Sequence, residues 1–228
     1  EDAFEFLNYI ADDSGAIFET AGSLNGGRRV FMTMKFPDSM QLADGTDVVD
    51  WYVFATNSHD GSSAMTVGIT PTRVVCSNTL ALALSDAKSK IMLRHTVGAK
   101  GKIQQARETL GMVFKYQSEF EQQVQTMVSQ PFTDSRFVKF TEALVPDRKD
   151  ASATQVSKDE RIRAALFGLW NAPTQQNVKG TRWAAWNAAV EYVDWVAPVR
   201  GKGKDRDDIR AERIILGSRD DFKQRAYM

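Results

Sequence analysis

A chain of 228 residues with 43% apolar content can bury a sizeable core, and no stretch approaches the roughly 20 apolar residues a membrane-spanning helix needs. The opening EDAFEFLNYIADD is too acidic for a signal or transit peptide, so the reading is a globular, cytoplasmic protein. The formal net charge of zero excludes a uniformly polyionic chain, yet residues 1–60 hold 3 basic and 11 acidic residues, which leaves a basic remainder able to face a polyanion.

Ala3, Phe6, Leu7 and Ile10 follow the i, i+3, i+4, i+7 rule, so Asp2 to Ile10 is predicted as a helix with Asp2 at its N-terminus, ended by Asp12-Asp13-Ser14-Gly15. Ala16 to Phe36 reads as a hairpin turning at Asn25-Gly26-Gly27; Val30, Met32, Met34 and Phe36 face one way and Phe31, Thr33 and Lys35 the other. Pro37 to Gly45 is read as a polar loop. Val49, Trp51, Val53 and Ala55 then alternate with Asp50, Tyr52, Phe54 and Thr56 along a strand. The polar stretch TNSHDGSS reverses the chain, with Asp60-Gly61 as the expected positive-φ pair. A return strand follows through Met65, Val67 and Ile69. Pro71 lacks a donor and is expected to kink the chain before Arg73-Val74-Val75-Cys76 resumes the strand. Ser77 or Asn78 is placed to cap a short helix over Leu80 to Leu84.

Lys90 to Thr96 is read as a fifth strand, and Gly98 to Gly101 as a break. From Lys102 to about Gln130 the set Ile103, Ala106, Leu110, Val113, Phe120, Val124 and Met127 marks the longest helix, which should lie across the sheet until Pro131 stops it. Beyond it the pattern is helical. Asp134 caps a segment containing Phe137, Phe140 and Leu144; ASATQV (151–156) is read as a loop; Lys158 to Trp170 is a helix; and 171–180 is a polar linker. Thr181 starts a helix striped by Trp183, Trp186, Val190 and Val193. The charged run 200–208 is read as mobile, and a basic helix interrupted at Gly217-Ser218 ends the chain. The fold class is α+β: an antiparallel β-meander of about five strands packed by a long helix (1–131), with an all-helical C-terminal portion (132–228).

Conventional catalytic signatures are missing. Cys76 is the lone cysteine, which excludes an internal disulfide framework and a multi-cysteine zinc site and fits a reducing compartment. His59 and His95 are the two histidines, and no H-x-H, H-x-x-x-H or C-x-x-C spacing holds two metal ligands on one element. No G-x-x-x-x-G-K-[ST] or G-x-G-x-x-G occurs, so neither a cofactor nor a metal is expected, and the chain is read as non-enzymatic.

The more coherent constellation is cationic. Arg28 and Arg29 leave a hairpin turn, Arg73 stands before the helix start, Arg94 lies on the fifth strand, and Lys100 and Lys102 head the long helix. A groove gathering them would follow a phosphodiester backbone with little base preference, with Trp51, Tyr52 or Phe54 offering faces for stacking. The competing reading pairs these cations with the acidic first 60 residues and places the aromatics in the core.

Five blocks, ETAGSLNGGRRVF (19–31), TNSHDGSSA (56–64), TPTRVVCSNTLALAL (70–84), RHT (94–96) and GTRWAAWNAAVEYVD (180–194), carry a resemblance to the phage/plasmid-like protein family, a bacterial, phage and plasmid family of unknown function. That resemblance implies a role in mobile-element DNA replication, recombination or defence, and a further N-terminal portion, in keeping with a chain that opens at Glu1 without Met. The order helix, meander, long helix is also similar to single-strand annealing recombinases of the RecT and Red-beta kind. The expected function is therefore single-stranded DNA binding and annealing by a homo-oligomer, with no membrane partner. The alternative is a protein-interaction factor directed at a host defence or replication protein.

Overall fold

The computed structural model describes the chain apart from residues 1–3, 25, 60, 62–63, 74–77, 80–89, 94–98, 200–203, 217–219 and 228. Helix α1 (Phe6–Ser14) buries Phe6, Leu7 and Ile10, as its periodicity requires. It runs through Asp12-Asp13 because the Ser14 hydroxyl donates back to the Ile10 carbonyl at 2.6 Å, and it stops at Gly15, left-handed at φ 70°. The predicted start at Asp2 lies outside the described residues.

The strands β1 (Ile17–Leu24), β2 (Arg29–Leu42), β3 (Asp47–Ser58) and β4 (Met65–Arg73) pair in sequence order, every pairing antiparallel. The far edge of β4 is shared: β5 (Asn78–Thr79) pairs Thr72 and Arg73, and β6 (Lys90–Leu93) pairs Met65 to Gly68. This is the expected α+β meander. Three local expectations are corrected. The loop predicted at 37–45 is mostly strand, because β2 absorbs Pro37 in a register shift between Lys35 and Ser39 and then continues to Leu42, with Met40 and Leu42 buried. Pro71 causes no kink: it sits in unbroken register opposite Trp51, while β5 and β6 leave 69–71 of the other edge unpaired among the described residues. A missing donor on that edge breaks no ladder bond. Asn78 is a strand residue rather than a helix cap.

Helix α2 (Ala99–Ser129) covers one face of the sheet, burying Ala106, Leu110, Val113, Tyr116, Phe120, Val124 and Met127. Trp51 meets Tyr116 and Phe120 edge-on at 6.4 and 5.2 Å, and Phe120 meets Trp183 at 6.4 Å. The Trp183 indole N–H donates to the Asp47 carboxylate at 2.9 Å with both groups buried. Asp47 therefore opens β3 and also anchors the sheet to the later helices.

Those are α3 (Asp134–Leu144), α4 (Ala153–Trp170), a 3-10 helix (Pro173–Val178), α5 (Arg182–Glu191), a π-helical turn (Tyr192–Val196), α6 (Lys204–Leu216) and α7 (Asp220–Tyr227). Thr133, not Asp134, caps α3; the Asp134 carboxylate instead accepts the Trp170 indole N–H at 2.7 Å. The predicted loop 151–156 is the start of α4, opened by a Ser152/Gln155 capping box. The linker 171–180 holds the 3-10 helix, which buries Gln175 and Val178, and the run read as mobile is helical from Lys204.

Candidate nucleic-acid interface

Of the cations that sequence spacing suggested, the structure places Arg28 and Arg29 towards one end of the sheet and Arg73 at the other. Arg28 is exposed in the β1–β2 turn, where its carbonyl accepts the His59 backbone N–H at 2.8 Å, and half-buried Arg29 opens β2 opposite Ser58. Arg73 ends β4 opposite Val49. Val49 to Ser58, at roughly 3.3 Å per residue, is about 30 Å of strand, so Arg29 and Arg73 sit at opposite ends of the sheet. Lys100 and Lys102 lie in the first turn of α2. Arg94, His95 and Cys76 fall outside the described residues.

Two of the three aromatics expected to stack are unavailable. Trp51 is wholly buried in the aromatic core and Phe54 is 2% exposed. Tyr52 is half-buried on the face turned away from α2, among Glu19, Lys35, Ser39 and Asp50. There Lys35 Nζ lies 2.7 Å from Asp50 Oδ2, and the Ser39 hydroxyl donates to Asp50 Oδ1 at 2.5 Å. Burial first, then the charges of Glu19 and Asp50 and a hydrogen bond with Glu19, push the Tyr52 phenol up to about 12. This part of the sheet compensates its own charge.

A different cationic site lies where α3 and α5 begin. Pro131 ends α2 and bridges to Thr181, with the Phe132 N–H donating to the Gly180 carbonyl at 2.7 Å and the Arg182 N–H to the Gln130 carbonyl at 3.0 Å. This short ladder clamps the two helix starts together. Between them opens a cleft of about 510 Å³ walled by Phe132, Phe140, Ala185, Trp186 and Ala226, and carrying Arg136, Lys139 and Arg182. Arg136 and Lys139 are i, i+3 neighbours on α3, so both reach the same side. Among the described residues no carboxylate lines the cleft, and Lys139 makes no ion pair.

The geometry is preorganised. Arg182 donates to Gln130 Oε1 at 3.0 Å and to the Tyr227 carbonyl, and its guanidinium lies 5.9 Å from the centre of the Tyr227 ring. Burial raises the Tyr227 phenol against the opposing pull of Arg182. Arg136 donates to the Pro131 carbonyl at 2.9 Å. Helix α7, which supplies Ala226, is fastened by the Trp186 indole N–H to the Lys223 carbonyl at 3.0 Å and by the Tyr227 hydroxyl to Gln123 Oε1 at 2.5 Å. Two guanidinium groups held by carbonyl and amide oxygens, with Lys139 beside them and apolar side chains lining the same cleft, suit an anionic ligand with a flat ring.

Sequence reading missed Arg136, Lys139 and Arg182. The pair R-x-x-K-F on a capped helix was a usable signal, but nothing local shows that Arg182 joins it. Among the described residues no group of three or more His, Cys, Asp or Glu could hold a metal, and no helix is long and apolar enough to cross a membrane.

Comparison with curated proteins and with solved structures finds no match. One family model matches, described as a domain of unknown function, over residues 1–215. The matched stretch includes the sheet, α2, and the cleft residues on α3 and α5; α7 lies beyond it. With nearly the whole chain inside that match, the protein belongs to the domain of unknown function family DUF932.

Proposed function

We propose that this protein binds single-stranded DNA without turning it over, as an annealing protein of a phage or other mobile element that works in the cytoplasm as an oligomer. The observation that carries the reading is the cleft itself: Arg136, Lys139 and Arg182 line it over Phe132 and Phe140, with no carboxylate lining it among the described residues. Cations that take phosphates beside aromatic faces that take bases are what sequence-tolerant binding of a single strand requires. The resemblance to single-strand annealing recombinases, by order of elements, and to the phage/plasmid-like family supports the recombination role. Fluorescence anisotropy with an oligothymidine of about 12 nucleotides, within the site sizes such proteins use, tests it. Binding should weaken with salt at a slope of about −2, since three phosphates each contribute about −0.7 on a single strand, and Arg136→Ala or Lys139→Ala should each flatten the slope by about 0.7. No binding at low salt, or salt-independent binding, overturns the proposal.

A second reading, a protein-interaction factor directed at a host protein, is favoured by Trp195 and Val196, adjacent apolar side chains that are 44% and 46% exposed at the end of the π-helical turn. Trp195→Ser should abolish partner capture under that reading and leave oligonucleotide binding intact.

A further inference from the structure

We infer that two copies of this chain join through the open edge of β1, antiparallel and related by a two-fold axis, so that the sheet continues across the contact. The inference names the interface behind the oligomer of the proposed function and uses none of the cleft residues. It starts from main-chain hydrogen bonding. β1 pairs β2 alone, so among the described residues every second N–H and C=O along its eight residues points away from the sheet with no strand to receive it. Its side chains are uncovered as well: residues 17–21 are exposed on both faces, Ile17 at 65% and Phe18 at 48%. Edge strands are guarded against pairing by lysine, proline, charge or a bulge. β1 has neither Lys nor Pro; its guards are Glu19 and one bulge between Phe18 and Thr20, beyond which residues 20–24 run in regular register.

Charge selects the occupant. At the Ile17 end stand the exposed Asp12 and Asp13, on the last turn of α1, and exposed Asp38, which follows Pro37; a Cβ at Gly15 would lie 3.9 Å from Pro37 Cγ. Beyond the Leu24 end stands Arg28, exposed in the turn to β2. Antiparallel pairing sets the Ile17 end of one copy beside the Leu24 end of the other, so the aspartates meet Arg28 of the partner subunit on each side of the axis. Parallel pairing would set aspartates beside aspartates. Joining β1 to β6 of the next copy would give a shorter ladder, since β6 has four residues, and would not close. A two-fold axis across an antiparallel pair requires one residue to face its own copy. Glu19 there would oppose two carboxylates, so the axis falls at Thr20 or Ala21, both uncharged and exposed.

Sedimentation equilibrium of the full chain without nucleic acid tests this. A monomer–dimer equilibrium is expected, and hydrogen exchange at residues 20–23 should slow as protein concentration rises. Thr20→Lys alters an exposed side chain and sets like charges across the axis, so the dimer Kd should rise by about tenfold. Thr20→Glu should do the same, and a mixture of the two variants should restore pairing, which a folding defect in either would prevent. Arg28→Glu should weaken the dimer, with part of the loss recovered when Asp12→Lys and Asp13→Lys are added to the same chain. Monomers at every concentration, a dimer indifferent to Thr20→Lys, or assemblies that grow past two copies overturn the inference. Oligothymidine binding by such monomers leaves the strand-binding reading standing, whereas a dimer that binds no oligothymidine overturns that reading and leaves this one.

Discussion

Lys223 and Asp194 form a buried ion pair that fixes the wall of the cleft, and removing one partner should be costly. Lys223 Nζ lies 2.7 Å from Asp194 Oδ1, with side chains 3% and 1% exposed. Exposed pairs contribute about 0–1 kcal/mol because water screens them and the side chains must be ordered. Here solvent is nearly absent, so Lys223→Met, similar in length but uncharged, removes the ammonium group that lies 2.7 Å from a buried carboxylate, at a cost of about 3–5 kcal/mol. For a chain of this size each 1 kcal/mol lowers Tm by about 2–4 °C, so a loss on the order of 10 °C is expected. Urea unfolding gives the free energy, and the double variant Lys223→Met with Asp194→Asn closes the cycle. The double variant should recover more than half of the single variant's loss, because neither charge then remains. Hydrogen exchange should rise first in α7, whose Lys223 carbonyl holds the Trp186 indole. A single-variant loss below about 1 kcal/mol, or a double variant as unstable as the sum of its parts, refutes the reasoning.

Two further outcomes follow from the sheet. The Tyr52 phenol ionises at about 12 against its ordinary 10, so the folded state holds that proton more tightly; its contribution to stability is complete below about pH 10 and is lost as pH rises from 10 to 12. Phenolate absorbance should show one late tyrosine, and Glu19→Gln should bring it earlier without restoring 10, since burial is the larger cause; no change in Glu19→Gln would contradict that assignment. A Cβ at Gly22 would come within 2.8 Å of the Phe31 ring, so Gly22→Ala should cost about 1–3 kcal/mol and Phe31→Ala in the same chain should relieve part of it, measured by urea melts.

Most of the fold is legible because its signals are periodic. The alternation at Val49 to Ala55 and the three-to-four spacing from Ala106 to Met127 each survive because one face of each element is buried in the same core. Boundaries were lost where a local preference met tertiary compensation. Pro37 reads as a loop, and a bulge converts it into strand; Ser152 and Gln155 read as polar linker residues, yet their reciprocal bonds begin a helix. Trp51 and Phe54 could not be placed by alternation alone, because this strand buries both of its faces at its centre.

The candidate site was less legible for a reason that lies in how charge is distributed rather than how much there is. Sequence counts assign cations to the whole region after residue 60, but a positive cleft forms only where neighbouring carboxylates are occupied elsewhere. In the helical portion several are: Asp134 takes the Trp170 indole, Asp147 takes Arg163, Asp159 takes Arg148, Glu191 takes Thr174 and Gln175, and Asp194 takes Lys223. Each of these contacts fastens one segment of the chain to another. The same bonds that assemble the helices keep these carboxylates occupied, and substituting a buried one, Asp159 or Asp194, should disturb packing before it disturbs the charge that a ligand meets.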